Sequence, residues 1–346
     1  MKTILITIIL YFLSVFLSIN TDACTRVVYK CGDMVATGRT MDWKEDTHSN
    51  IYIFPRGIER KAGFSNNSIS WTSKYGSLSV SGYDIGVCDG MNEMGLVANI
   101  LFLPESIYEK ENETRNVMGI SIWVQYVLDN FSNVKEVVED MSKDKFYLDA
   151  PELPNGSKST LHMSISDKYG NNAIIEYING DINIYEGEKY RILTNSPAYN
   201  LQLAINDYWK SVGGMNMLPG TNKSSDRFAR GYFYVNSCEQ SENENIAIPT
   251  LMSVMRNVSV PYGISMPDNP YISSTRWRVI ADQKNLVYYF ENTVPMFLFY
   301  IDLNDIDFSK DSGERILKLS DNTIYKDNAT NFFKETDRPF SFLFLK

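Results

Sequence analysis

Cys24 carries a thiol that could attack a carbonyl carbon, and Arg39 and Asp42 downstream supply a cation and a carboxylate. A free cysteine titrates near ~8.5, so a nucleophilic one needs a base to take its proton or a cation to favour its thiolate. Histidine is the usual base. This chain has 2 histidines, His48 and His162. His48 stands in the polar run Asp46-Thr47-His48-Ser49, and His162 lies in a strand-like stretch where a structural role is expected. A Cys–His dyad through His48 stays open. The other base is the α-amino group of residue 24 itself, whose unperturbed pKa of about 7.7–8.0 lies in the working range. That base exists only if Cys24 begins the mature chain.

Residues 1–23 have the form of a segment that is removed. Met1-Lys2 gives a basic start, an apolar run covers 4–19, and Asn20-Thr21-Asp22-Ala23 ends on a small residue, the three zones of a secretory signal. The run of 19 − 4 + 1 = 16 positions is short of the ~20 residues of a spanning helix. An uncleaved anchor is the alternative. A lipoprotein site would need a Leu-like residue where Thr21 stands. Cleavage after Ala23 leaves 346 − 23 = 323 residues starting at Cys24. The expectation is a secreted, periplasmic or secretory-lumen protein with no membrane attachment after cleavage. Arg39 is then expected to depress both the amine and thiol pKa values, by repulsion and by ion pairing, while Asp42 orients the amine. The same pair would also suit a surface ion pair.

Positioning these groups falls to a hairpin. Strands over 24–29 and 34–40 flank the turn Cys31-Gly32-Asp33, which brings the end of the second strand back to residue 24. Further strands are expected over 51–54, 77–81 and 96–103, with a turn-rich loop over 89–95 between the last two. Apolar residues at helical spacing predict a helix over 120–131, and Asn133 with Glu136 reads as a capping box opening a second, ending near Met141. A second strand block follows over 161–167, 173–178, 182–185 and 190–194, with Asn179-Gly180-Asp181 as a hairpin turn. Helices are expected over 197–212, 226–236 and 248–256, then strands over 275–282, 286–290 and 297–302. The polar tail, 310–346, has no assignment. Strand blocks joined by hairpins, with helices gathered between them, indicate an α+β fold with antiparallel sheets. No linker divides the chain, so residues 24–346 read as one domain.

Composition narrows the partners. A formal net charge of −9 argues against nucleic acid, which needs a basic face. No ligand spacing for a metal occurs, and thiol catalysis through a thioester needs no cofactor. Cys31, Cys88 and Cys238 allow one disulfide at most if Cys24 stays free, without indicating which. Sequons at Asn66, Asn112, Asn130, Asn155, Asn222, Asn257 and Asn328 suit a glycosylating secretory route.

Cys24-Thr25-Arg26 followed by Gly38-Arg39-Thr40-Met41-Asp42-Trp43 resembles the N-terminal signature of the choloylglycine hydrolase family of N-terminal-nucleophile hydrolases, which contains penicillin V acylases and conjugated bile salt hydrolases. The similarity continues through Trp71-Thr72-Ser73-Lys74-Tyr75-Gly76-Ser77, Asp89-Gly90-Met91-Asn92-Glu93-Met94-Gly95-Leu96 and Ala173-Ile174-Ile175-Glu176-Tyr177. It extends through Leu193-Thr194-Asn195-Ser196-Pro197, Leu218-Pro219-Gly220-Thr221-Asn222 and Asp226-Arg227-Phe228, to Val260-Pro261-Tyr262-Gly263 and Ser274-Thr275-Arg276-Trp277-Arg278. The resemblance implies a four-layer αββα sandwich and a homotetramer. It matches Cys24 to the nucleophile, Arg39 and Asp42 to the residues that set up its amine and thiol, Asn195 to the side-chain oxyanion donor and Arg227 to the arginine beside the nucleophile, with Arg230 as the rival. Bile salt hydrolases place an asparagine as second oxyanion donor where Phe102 stands here, and Asn99 is out of register. That departure favours a penicillin-V-acylase-like site with a backbone N–H donor, Trp43 and Phe102 gripping the acyl group. The expected activity is hydrolysis of small N-acyl amides with a hydrophobic acyl part. Conjugated bile salts, acyl homoserine lactones and N-acyl ethanolamines are alternatives, as is a catalytically silent secreted binding protein.

Overall fold

The computed structural model describes residues 24–108, 115–265, 273–319 and 324–345. The leader expected over residues 1–23 and the sequon at Asn112 lie outside them. Strands β1 (Thr25–Cys31) and β2 (Met34–Trp43) form the expected hairpin, with Cys31 paired to Met34. Gly32 turns the corner at φ +53°, where a side chain would be strained. The chain continues through β3 (Ile51–Phe54), a ribbon of β4 (Glu59–Lys61) and β5 (Ser70–Thr72), then β6 (Ser77–Gly82), β7 (Gly86–Asn92) and β8 (Val97–Phe102). β9 (Asn116–Gly119) leads into α1 (Trp123–Asn130) and α2 (Val134–Met141), and β10 (Phe146–Asp149) returns beside β9. β11 (Leu161–Ser166), β12 (Asn172–Ile178), β13 (Asp181–Glu186) and β14 (Ile192–Leu193) precede α3 (Tyr199–Val212), α4 (Ser224–Ser237) and α5 (Glu244–Asn257). β15 (Ser274–Asp282), β16 (Val287–Asn292), β17 (Phe297–Asp302), β18 (Arg315–Leu317), β19 (Asp327–Asn328) and β20 (Lys334–Glu335) complete the chain.

The strands form two large sheets, antiparallel but for the β17–β19 pair. The first is 7-stranded in the order β14-β1-β2-β15-β16-β17-β19, and the second is 9-stranded in the order β13-β12-β11-β8-β7-β6-β3-β18-β20. Side chains alternate across a strand, and that alternation sorts the residues. On β2, Gly38 faces outward, where a Cβ would meet Met255 of α5 at 2.6 Å. Its neighbour Arg39 faces inward to the second sheet. On β7, Gly90 faces α1, where a Cβ would meet Leu128 at 2.7 Å, and Asp89 faces inward toward Arg39. The inner faces meet through Thr37–Ser166 at 2.7 Å and Tyr288–Asp89 at 2.6 Å. Contacts therefore run from α4 and α5, through the first sheet and the second, to α1.

Several details depart from the sequence reading. The stretch 89–95 is not all loop: Asp89 to Asn92 belong to β7, and only the residues after Asn92 turn. Its polar side chains are buried and satisfied, Asn92 donating to the carbonyls of Leu128 and Phe131, so they mimic a surface turn. The strand expected over 190–194 is only Ile192–Leu193, because the Tyr190 carbonyl accepts from Arg26 instead of a ladder partner. α5 begins four residues early, capped by the Asn243 side chain, and runs through Pro249 because Leu251, Met252 and Met255 bury along one face. The capping box is shifted: Asn133 accepts from the Glu136 N–H, but Glu136 reaches back to the Ser132 N–H. The tail is integrated, since β18 pairs with β3 and Phe340 packs edge-on to Tyr52. All four cysteines are free.

Candidate active site

Cys24 stands just before β1, and its neighbours follow from register. Arg26 pairs with Leu193 and Val27 with Ile192, where the ladder ends; two residues on, Asn195 gives its N–H to Ser224 Oγ and is tied to Cys24 through Arg227. Across the hairpin, Thr25 pairs with Thr40 and Arg26 with Arg39. Cys24, Arg39 and Met41 thus share the inner face, while Thr25, Thr40 and Asp42 share the outer one.

On the inner face the Cys24 thiol lies 4.0 Å from an Arg39 nitrogen and 3.9 Å from Met41 Sδ. The same guanidinium reaches Cys88 Sγ at 3.8 Å and donates to the Ile100 carbonyl at 3.0 Å. Its counter-ion is Asp89 at 3.7 Å, both side chains 1% exposed. Asp89 is held in turn by Tyr288 OH at 2.6 Å and Asn99 Nδ2 at 2.7 Å. Burial opposes the charge on Arg39, but Cys88, Cys24 and Asp89 together hold its pKa above the ordinary value.

On the outer face the Asp42 carboxylate accepts from Thr40 at 3.0 Å and from Thr275 at 2.5 Å. Burial lifts its pKa to about 6, opposed first by Arg227. Arg227 spans the site: it donates to the Cys24 carbonyl at 2.7 Å, to the Thr25 hydroxyl, to Asn195 Oδ1 at 3.0 Å and to the Asn222 carbonyl at 3.0 Å. Arg230 instead anchors the carbonyls of Pro219 and Thr221, both at 2.8 Å. Asn195 is gripped at both ends, its Nδ2 donating to the Phe102 carbonyl at 2.7 Å.

Arg39 and Asp42 are buried and so are no surface ion pair; they stand on opposite faces of the hairpin, because residues three apart on a strand point to opposite sides, and the partner of Arg39 is Asp89. Arg39 pulls the Cys24 thiol pKa down as expected, but burial raises it by more. The histidines make other contacts: His162 bridges Glu176 and the Thr194 carbonyl, both at 2.8 Å, and His48 is exposed beside Asp46. The sequence reading missed Asp89 and Tyr288 as parts of the site. Asp89 stood in a quoted motif but was taken for a turn residue.

The thiol opens on a cavity of about 100 Å³ lined by Arg39, Met41, Trp43, Cys88, Ile100 and Phe102, among others. Trp43 and Phe102 meet edge to face with centroids 5.7 Å apart. Strand alternation also exposes a donor at its edge. Leu103 N–H bonds Thr160 O, so Phe102 points its N–H and C=O away from β11, toward the side where β7–β8 pairing has ended at Asp89↔Asn99.

Comparison with known proteins matches residues 24–318 to the linear amide C–N hydrolases of the choloylglycine hydrolase family. The chain belongs to that family. As a choloylglycine-family protein it is a hydrolase of non-peptide C–N bonds. It is 42% identical to a penicillin V acylase of Pectobacterium atrosepticum, with 92% of each chain covered. The structure of penicillin V acylase from Agrobacterium tumefaciens superposes with a TM-score of 0.87 at 47% identity, covering 93% of this chain and 100% of that one. A variant of the conjugated bile acid hydrolase from Clostridium perfringens shares the fold, with a TM-score of 0.73 at 23% identity over 89% of this chain and 100% of that one. Among the described residues no helix is long and apolar enough to cross a membrane.

Proposed function

We propose that this hydrolase cleaves penicillin V and related N-acyl amides of hydrophobic acids, with Cys24 as an N-terminal nucleophile. The observation that carries this reading is Arg227 bonded to both the Cys24 carbonyl and Asn195, with the thiol facing an apolar cavity. The substrate class is supported by two penicillin V acylases at 42% and 47% identity and by the aromatic pair Trp43–Phe102. The α-amine takes the thiol proton, and the thiolate adds to the amide carbonyl. The second N–H of the Asn195 amide and the Phe102 N–H hold the oxyanion, contributions of the order of 10²–10³ in rate each. Arg39 favours the thiolate, and Asp42 and Arg227 fix the N-terminal residue. The proton passes to the leaving amine, and water releases the acid from the thioester.

The same proposal has residues 1–23 removed on export and residues 24–346 forming one secreted domain; the family match beginning at residue 24 supports the cleavage site. Glycosylation would fall on the exposed Asn66, Asn257 and Asn328, whereas the amide nitrogens of Asn130 and Asn155 donate within the chain. A homotetramer is part of the proposal, supported by the exposed Leu201, Tyr208, Met215 and Met217, an apolar group of the kind that subunit contacts cover. A hydrolysis panel of penicillin V, glycocholate and a long-chain acyl homoserine lactone tests the reading. Preference for penicillin V, lost in Cys24→Ala, is expected; penicillin V left intact while glycocholate is cleaved would reject it.

A further inference from the structure

One residue of the cavity wall, Leu343, comes from the C-terminal tail, which lies beyond the family match ending at residue 318. Leu343 lines the cavity together with Ile85, Gly86 and Ser121. Its backbone is fastened on both sides: its N–H donates to the Ile85 carbonyl at 2.8 Å, and its carbonyl accepts from Ser121 Oγ at 2.6 Å. The alternating aromatic residues around it grip the body of the protein. Phe340 packs on Tyr52 with centroids 4.7 Å apart, and Arg60 lies 5.4 Å over the Phe342 ring. Phe344 fills the space where a Cβ on Gly119 would meet its ring at 2.4 Å. With both neighbours pinned, Leu343 cannot withdraw without unseating the tail.

Its position relative to the chemistry follows from β7. Cys88 shares the Arg39 guanidinium with Cys24. Ile85 lies three residues before Cys88, a span of roughly 10 Å at strand rise. An acyl group carried on the Cys24 side and extended along β7 therefore ends against Leu343. We propose that Leu343 is a specificity-determining residue that sets the longest acyl chain the enzyme accepts, and that the tail over 340–345 acts as a fixed end wall. This rests on the proposed reading of Cys24 as the acylated residue.

The test uses the secreted enzyme and a series of straight-chain N-acyl p-nitroanilides of increasing length, read as kcat/KM. Leu343→Ala is expected to move the optimum to longer chains, with a gain of about fourfold for each methylene newly admitted, the equivalent of ~0.8 kcal/mol per buried CH₂. Leu343→Trp is expected to move it to shorter ones. A chain ending after Pro339 should behave as Leu343→Ala does; if it fails to fold, the two point variants still decide. Variants that hydrolyse amides with the unaltered length profile would overturn the proposal. The same series bound to Cys24→Ala by calorimetry separates this from failure of the proposed chemistry: a length cutoff in affinity that shifts in the Cys24→Ala, Leu343→Ala double variant supports the wall even if no amide is cleaved, and an unshifted cutoff rejects it.

Discussion

Arg227→Lys isolates what holds the oxyanion donor in place. The arginine makes bonds from three different nitrogens, to Asn222 O at 3.0 Å, to Cys24 O at 2.7 Å and to Asn195 Oδ1 at 3.0 Å. A lysine keeps the charge but offers one point of attachment, so it cannot serve the Cys24 carbonyl and Asn195 together. At least two hydrogen bonds from a charged donor to buried acceptors are lost, each worth about 1.5–3 kcal/mol. The fold should weaken by roughly 3 kcal/mol or more, a drop in Tm of at least about 6–12 °C at ~2–4 °C per kcal/mol. The Asn195 side chain then keeps only its bond to the Phe102 carbonyl and can rotate out of alignment. With Asn195 in its proposed role as donor to the developing oxyanion, the loss should appear in kcat, by up to about 10²–10³, with KM little changed. The assay is steady-state hydrolysis of penicillin V by Arg227→Lys, Asn195→Ala and the double variant. If Arg227 works through Asn195, the double variant is scarcely slower than Asn195→Ala alone. Additive losses, or a wild-type kcat in Arg227→Lys, would refute the linkage.

Two further outcomes follow. Burial lifts both Asp42 and Asp89 to about 6, above the ordinary value near 3.9. These carboxylates bind protons more tightly when folded, so the stability they contribute is complete below about pH 4 and is lost as pH rises through about 6. A rise from 3.8 to about 6 corresponds to roughly 3 kcal/mol for one group. Urea unfolding of Asp89→Asn should show a fall in stability between those pH values smaller than the wild type's by that order, and an identical fall would contradict the assignment. Arg39→Gln removes the largest influence lowering the Cys24 thiol pKa. Its alkylation by iodoacetamide at neutral pH should slow at least tenfold, and an unchanged rate would show that Arg39 does not govern the thiol.

The parts of this site that could be read from sequence are those fixed by short-range geometry. The hairpin turn at Gly32 places Arg39 near Cys24, and the strand end before Pro197 presents Asn195. What escaped was decided at long range. Asp89 looked like a turn residue because its neutralising partners are elsewhere: Arg39 across the sheets and Tyr288 on β16. A buried, paired aspartate and a solvated one are the same letter. Arg39 and Asp42 were grouped because they are close in sequence, yet period-two alternation sends them to opposite faces. The pull of Arg39 on the thiol can be read from spacing, whereas the burial that outweighs it depends on the second sheet. The tail gave no signal by propensity, although Phe340, Phe342 and Phe344 carry an alternation that the structure uses.

The central claim is that the free amine of Cys24 is the catalytic base. The most direct measurement is N-terminal sequencing and intact mass of the active protein, before and after reductive methylation of its α-amine at near-neutral pH. A first residue Cys24, with penicillin V hydrolysis lost in step with modification of that amine, is the predicted result. Full activity in a chain that retains residues before Cys24, or whose α-amine is blocked, would contradict it.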